Sequence, residues 1–170
     1  MANDNRLRSE IAERVAAIAH DRRHGAAELA RQCLNLLGDA AEHTPAADGG
    51  ELHADLQRLA TALIASRPSM TSVTHLVSLW LQRCDTAQTR SLPEQRRNAL
   101  RTARTLIEES LAATQAAAAH AAELLANCRT LVTHSYSSTV YEAISRLHEH
   151  VHVIFSESRP LYDGHRLAQA

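Results

Sequence analysis

Two short polar segments carry most of the groups that could do chemistry in this chain of 170 residues. They are Thr133-His134-Ser135-Tyr136-Ser137-Ser138 and Ser156-Glu157-Ser158-Arg159-Pro160. Each follows a short β-favouring run, Leu131-Val132-Thr133 in the first case and Val151-His152-Val153-Ile154-Phe155 in the second. Hydroxyls, backbone amides and an arginine gathered at strand ends suit an anion, because phosphate and carboxylate are held by N–H and O–H donors and by the guanidinium fork. A third segment, Arg67-Pro68-Ser69-Met70, sets another guanidinium just before a helix start, whose free amides also favour negative charge. Gly25, followed by Ala26, permits a tight turn and lets backbone approach a ligand closely. Ser137 and Ser138 precede a helix read over 138–149 and offer a second anion nest.

Other chemistries fit these residues less well. His148, His150 and His152 would share a face if all lay in extended chain, but they lack a standard metal-ligand spacing, and no metal is expected. Ser135 beside His134 has the elements of a nucleophile and base, yet no glycine-flanked elbow surrounds the serine. His134 reads either as a strand-end histidine satisfied by hydrogen bonds or as a base. Arg159 reads either as an anion ligand or as a partner for Glu157 or Asp163.

The elements that must position these groups follow from periodicity. Residues 131–164 read as strand, helix, strand, with Val140, Ile144 and Leu147 at helical spacing. Two parallel strands joined by a helix form a right-handed unit, and in such folds ligands sit at the carboxyl ends of the strands. Upstream, Leu7, Ile11, Val15 and Ile18 line one face of a first helix. Leu29, Ala30, Cys33, Leu36 and Leu37 mark a second, for which Gly38 is the expected stop, and residues 38–50 read as a loop. Leu52, Leu56, Leu59, Ala60 and Leu63 mark a third, ending near Ser66 because Pro68 disfavours helix at Arg67. Val73, Leu76, Val77 and Trp80 mark a fourth. Ser91-Leu92-Pro93-Glu94 is a helix start, with serine at the cap, proline in the first turn and glutamate three residues on. The fifth helix should run from about 93 towards 126, with a break near Thr114; its alanine-rich tract at 112–126 reads either as helix propensity, the favoured reading, or as a low-bulk surface for close approach to another helix or to the sheet. The expected fold class is therefore an α-helical N-terminal bundle, antiparallel and covering residues 1–112, followed over 113–170 by the start of an α/β Rossmann-like parallel sheet, incomplete at about two strands.

Composition narrows the functions. Aromatic residues make up 3% of a chain that is 45% hydrophobic, so Ala, Leu, Val and Ile must build the core, which suits packed helices. A net charge of −1 gives no electrostatic footprint for nucleic acid or for an anionic membrane. All basic side chains are arginine, which removes Schiff-base and P-loop lysine chemistry. Three cysteines, Cys33, Cys84 and Cys128, are odd in number and widely spaced, as reduced thiols of a cytoplasmic protein would be. There is no apolar signal region and no run of membrane-spanning length. The charge-rich faces of the first and fifth helices read as solvated surface.

The run Thr133-His134-Ser135-Tyr136-Ser137-Ser138-Thr139-Val140, followed by Glu157-Ser158-Arg159-Pro160 and Gly164, resembles the alpha/beta/delta-subunit family of eukaryotic initiation factor 2B. That family also includes sugar-phosphate isomerases acting on ribose 1,5-bisphosphate and methylthioribose 1-phosphate. Asp21 to Leu29 is similar to the family's Gly-Ala segment, and Arg67-Pro68-Ser69-Met70 to its Arg-Pro-Ser/Thr segment. The resemblance implies a phosphosugar or nucleotide site drawing on Gly25, Ala26, Arg67, Pro68, Ser69, His134, Ser135, Ser137, Ser138, Glu157, Arg159 and Gly164. It also implies that Ser135 stands where the isomerases have a catalytic cysteine. Serine without a matched base is a far weaker acid or nucleophile. The isomerases' second catalytic group, an aspartate, lies in a part of the family fold beyond the residues matched here, and His24 stands where they tend to have arginine. The expectation is an initiation-factor-2B-like subunit or fragment, cofactor-free and non-catalytic alone, that binds a sugar phosphate or nucleotide or assembles with homologous subunits or with itself. The alternative is an aldose–ketose isomerase completed by a missing C-terminal half.

Overall fold

A computed structural model describes residues 2–85, 91–147, 150–160 and 162–169. The chain divides into two compact units, residues 1–109 and 110–170. Among the described residues there are seven helices and one two-stranded sheet.

The first unit is helical. It contains α1 (Ala2–His20), α2 (Ala26–His43), α3 (Gly49–Ser66), α4 (Thr71–Asp85) and the first part of α5 (Leu92–Leu125). Helix α2 packs on α1, α3 and α4, which makes it the centre of the bundle. Leu29, Leu34, Leu36 and Leu37 of α2, Leu52 and Leu63 of α3, Val73, Val77 and Trp80 of α4 and Leu106 of α5 are fully buried. The bulk of the core is therefore leucine and valine around one indole. Trp80 also satisfies its ring N–H, which donates to the Ala99 carbonyl at 3.0 Å.

Helix ends follow local chemistry. Asp48 caps α3 by accepting from the Glu51 amide at 2.9 Å. α3 stops at Ser66, two residues before Pro68. At the start of α5, Glu94 Oε2 accepts from the Ser91 amide at 3.1 Å and from its hydroxyl at 2.7 Å. Two helix C-termini are covered by arginines from later elements. Arg67 donates from Nε to the Ile18 carbonyl at 2.8 Å and from Nη2 to the Asp21 carbonyl. Arg96 donates to the carbonyls of Ala41 at 2.6 Å and Thr44 at 2.8 Å. Both guanidiniums thus take up carbonyls that a helix leaves orphaned.

Three expectations for α2 and α5 need correction. Gly38 does not stop α2, which continues to His43, so the loop is shorter than 38–50. Gly38 instead gives close packing: a Cβ there would lie 3.2 Å from Leu100 Cδ1 and 3.4 Å from Ala103 Cβ. α5 has no break at Thr114, whose hydroxyl donates to the Ser110 carbonyl at 3.0 Å and stays within the helix. Gly25, at the cap of α2, has φ −74° and ψ 164°, a backbone that any residue adopts, so the turn there does not depend on glycine.

The second unit holds β1 (Thr130–Thr133), α6 (Ser138–Ile144), β2 (His152–Phe155) and α7 (Asp163–Gln169). The strands are parallel, with Thr130 opposite His152, Leu131 opposite Val153, Val132 opposite Ile154 and Thr133 opposite Phe155. Side chains alternate between faces. On one face Thr133 is buried and Leu131, Val153 and Phe155 are half-buried. On the other, the register pair Val132 and Ile154 is 69% and 46% exposed. Helix α6 is shorter than the 138–149 read from the sequence. Beyond Ile144 the Arg146 amide donates to Ala143 and the Leu147 amide to Ile144, so the last turn tightens and ends.

Among the described residues no helix is long and apolar enough to cross a membrane. The three cysteines are free, with Cys33 buried and Cys84 and Cys128 half-buried.

Candidate functional site

The carboxyl ends of β1 and β2 bring the two polar segments together. The ladder closes with the Ser156 amide donating to the Thr133 carbonyl at 3.1 Å. Beyond it, the Ser135 amide donates to Ser158 Oγ at 2.8 Å, tying one strand-end loop to the other. Both residues have left-handed backbone, φ 63° at Ser135 and φ 56° at Ser158. Non-glycine residues adopt this region at a cost of about 1 kcal/mol or more, and such strain collects at functional sites. Ser156 Oγ lies 3.2 Å from Ser158 Oγ, and the Ser135 hydroxyl lies 2.6 Å from His134 Nδ1. The result is a row of hydroxyls with one imidazole, able to donate to an anion or pass a proton over a short range.

Helix α7 fixes the second loop. Gly164 is buried in its first turn, and a Cβ there would overlap the Ser156 carbonyl oxygen. Only glycine permits that approach. The Tyr162 amide donates to the Ser158 carbonyl at 3.0 Å. Arg166 stacks its guanidinium 4.7 Å from the Tyr136 ring centre, so α7 reaches the first loop as well. Ser137 caps α6, its hydroxyl accepting from the Val140 amide at 3.4 Å. Ser138 is the first residue of that helix.

The charged members are partly engaged. Arg159 Nε donates to Glu157 Oε2 at 2.7 Å, which matches the pairing reading of Arg159; both side chains are exposed, so the pair is weak. The other Glu157 oxygen lies 3.8 Å from His165 Nε2. Among the described residues no group of three or more His, Cys, Asp or Glu side chains is placed to hold a metal ion. His152 is exposed in β2, and His148 lies outside the described residues.

The remaining candidates belong to the first unit, around the α1–α2 connection. Asp21 organises it. Its Oδ1 accepts from the amides of Arg23 at 2.7 Å and His24 at 2.8 Å, and its Oδ2 lies 2.7 Å from His24 Nδ1. Burial opposes the charge, but the bonds from His24 and Arg23 outweigh it and hold the carboxyl at about 2, below its ordinary 3.8. Arg67, half-buried, grips the same connection through Ile18 and Asp21, which brings the Arg-Pro-Ser segment against the loop leading to Gly25 and Ala26. Gly25 has open space where a Cβ would stand. Pro68 and Ser69 are exposed between α3 and α4.

The sequence placed Tyr136, Ser156 and Ser158 in the two strand-end segments but did not single them out as site residues, and it did not single out Asp21 as the organiser of the first loop. The alternation Ser156-Glu157-Ser158 after a strand was the available signal, since residues two apart point to the same side. For Asp21 it was an acidic side chain at a helix end followed by Arg-Arg-His-Gly, the pattern of an aspartate that bonds its own downstream amides.

The model of the initiation factor 2 subunit family matches residues 22–170. Among solved structures, the fold superposes with a TM-score of 0.77 on the translation initiation factor eIF-2B of Pyrococcus horikoshii OT3, at 24% identity, covering 94% of this chain and 55% of that one. It superposes equally, TM-score 0.77, on 5-methylthioribose 1-phosphate isomerase from the same organism, at 18% identity, covering 93% and 47%. A third similar structure is the tetrameric eIF2B-beta2-delta2 complex from C. thermophilum, with TM-score 0.69, 16% identity and coverage of 86% and 52%. The chain thus spans about half the length of these structures, and the likenesses establish the fold. No curated protein matches.

Proposed function

Because the chain belongs to the initiation factor 2 subunit family, we propose that it serves as an initiation-factor-2B-like subunit or subunit fragment that assembles with homologous polypeptides and binds a sugar phosphate or nucleotide at its strand ends. In this reading it works in the cytoplasm, needs no cofactor, and does not catalyse a reaction alone.

The observation that carries the reading is the uncovered pair Val132 and Ile154 on a two-stranded parallel sheet. Parallel sheets are stable when covered on both faces, and an exposed β-branched face beside unpaired strand edges calls for further polypeptide. Assembly with homologous subunits supplies it, in keeping with the tetrameric complex among the similar structures. The ligand half of the proposal draws on the Ser135–Ser158 bond, the hydroxyl row and the weak Arg159–Glu157 pair.

A second reading is an aldose–ketose isomerase completed by another polypeptide. The Ser135–His134 contact favours it, since a hydroxyl 2.6 Å from an imidazole nitrogen has a base at hand. The similarity to 5-methylthioribose 1-phosphate isomerase is in keeping with it.

Thermal unfolding of the chain with ribose 1,5-bisphosphate or AMP, alongside mass measurement by light scattering, tests both halves of the proposal. A ligand at ~100 times its dissociation constant adds about 2.7 kcal/mol, a shift of a few degrees for a chain of this size. A shift with either compound supports the ligand site, and a mass above that of one chain supports assembly. A monomer unmoved by both compounds overturns the proposal. Turnover of ribose 1,5-bisphosphate, abolished by Ser135→Ala, would establish the second reading instead.

A further inference from the structure

Helix α5 carries Arg97, Arg101 and Arg104 at i, i+4 and i+7, so the three share one face over about 10 Å of helix axis. All three are exposed. Three other arginines of the first unit are paired with carboxylates within it: Arg14 with Asp39, Arg58 with Asp55 and Arg83 with Glu109. Among the described residues none of the three has a carboxylate within ion-pair distance, and Arg101 donates only to the Asn98 side chain, at 3.2 Å. Glu94, one turn before Arg97, bonds the amide and hydroxyl of Ser91. With Glu94, Asn98 and Leu100 the three arginines line a shallow hollow of about 500 Å³. Like charges on successive turns repel and destabilise a helix unless something neutralises them. Here, among the described residues, Glu94 borders the face but no carboxylate pairs with any of the three arginines.

We propose that this face docks an acidic helical segment of a partner protein, with carboxylates one turn apart set against Arg97, Arg101 and Arg104. The guanidinium fork favours carboxylate in bidentate geometry, and a helix repeats its side chains at the same spacing as α5. Nucleic acid would also present anions in a row. However, single strands are held by aromatic stacking, and among the described residues no aromatic side chain lines the hollow. The chain is also weakly acidic as a whole, unlike a nucleic-acid binder. The surface is independent of the strand-end site, so the proposal stands or falls apart from the ligand reading.

Fluorescence anisotropy with a labelled alanine-based helical peptide, glutamates along one face, tests it against a scrambled peptide of the same composition and a polyuridine oligonucleotide. The expected result is saturable binding of the patterned peptide, weakened at least about tenfold between roughly 50 and 200 mM salt. Binding should be abolished by combined Arg97→Glu, Arg101→Glu and Arg104→Glu substitution. Circular dichroism checks the fold of that variant, and the corresponding triple glutamine variant replaces it where the fold is lost. Absence of peptide binding, equal binding of the scrambled peptide, binding that survives the substitutions, or preference for the oligonucleotide each overturns the proposal.

Discussion

Arg67 Nε donates to the carbonyl oxygen of Ile18 at 2.8 Å across 49 residues of sequence, so the residue that ends α3 also closes α1. A half-buried guanidinium satisfying two main-chain carbonyls contributes through charge-assisted bonds of about 1.5–3 kcal/mol each, part of which a neighbouring water can replace. Arg67→Met should therefore destabilise the first unit by about 2 kcal/mol, measured by urea denaturation. Arg67→Lys should recover only part of this, because an ammonium lacks the fork. A variant with unchanged midpoint would show that the contact is not stabilising.

Asp21 gives the first unit an acid-sensitive element. Its carboxyl is held at about 2 in the folded chain against 3.8 ordinarily. The depressed value means that stability is fully present above pH 4 and is lost as pH falls from about 4 to 2. Solvent screening at this open site reduces the contribution to about 1 kcal/mol or less. Asp21→Asn should be less stable than the parent at pH 6 by about that amount, and the two should converge near pH 2. Parallel stability curves across that range would contradict the assignment.

The cysteines should react unequally. Burial pushes Cys33 up to about 11, against a smaller opposing pull from Arg67, and burial pushes Cys84 up to about 12. At pH 8 thiolate is about a thousandth or less of either group, and thiolate is the reactive form. Titration of the native protein with a disulfide reagent should register Cys33 and Cys84 only slowly, and all three thiols promptly in denaturant. Fast reaction of Cys33 in the native state would place it elsewhere than the core.

Gly164 is the tightest point of the second unit. An added methyl must displace the Ser156 carbonyl or the start of α7. Gly164→Ala should destabilise this unit by at least about 2 kcal/mol, within the usual cost of overpacking. Hydrogen exchange at residues 152–155 should accelerate, with little change at α2. Unaltered exchange in β2 would contradict the packing described.

The exposed pair can be tested by polarity. Val132→Thr with Ile154→Thr keeps the β-branched shape and removes apolar surface. The double variant should bind less of an apolar dye and form less assembly, with unfolding shifted by under about 1 kcal/mol, as for exposed sites generally. Assembly unchanged by the pair of substitutions would direct attention to another surface.

Much of this architecture was legible because it depends on local chemistry. Pro68 fixes the end of α3, Ser91 and Glu94 fix the start of α5, and the β-branched runs at 131–133 and 152–155 form the strands. What could not be read depended on neighbours distant in sequence. Gly38 looked like a helix stop, but its smallness serves contact with Leu100 and Ala103. Leu147 kept helical spacing while the hydrogen bonds around Ser145 had already shortened the turn. In the candidate site, the polar composition of the two loops was visible. The bond from Ser135 to Ser158 was not, because it joins residues whose meeting requires the strand register.

The arginine coverage of α1 and α2 also has a bearing on synthesis. The groups that complete those helices lie 46 to 55 residues downstream of the carbonyls they cover. At translation rates of 5–20 residues per second, roughly 2 to 11 s separate the making of each end from the making of its arginine. During that interval the nascent chain holds two open-ended helices, each exposing the core face of α2 or its neighbour, and each is finished in the order in which Arg67 and Arg96 emerge. A ribosome paused before residue 67 would therefore present a segment whose hydrophobic faces are made but whose ends are not, the state in which a chaperone finds the most to hold.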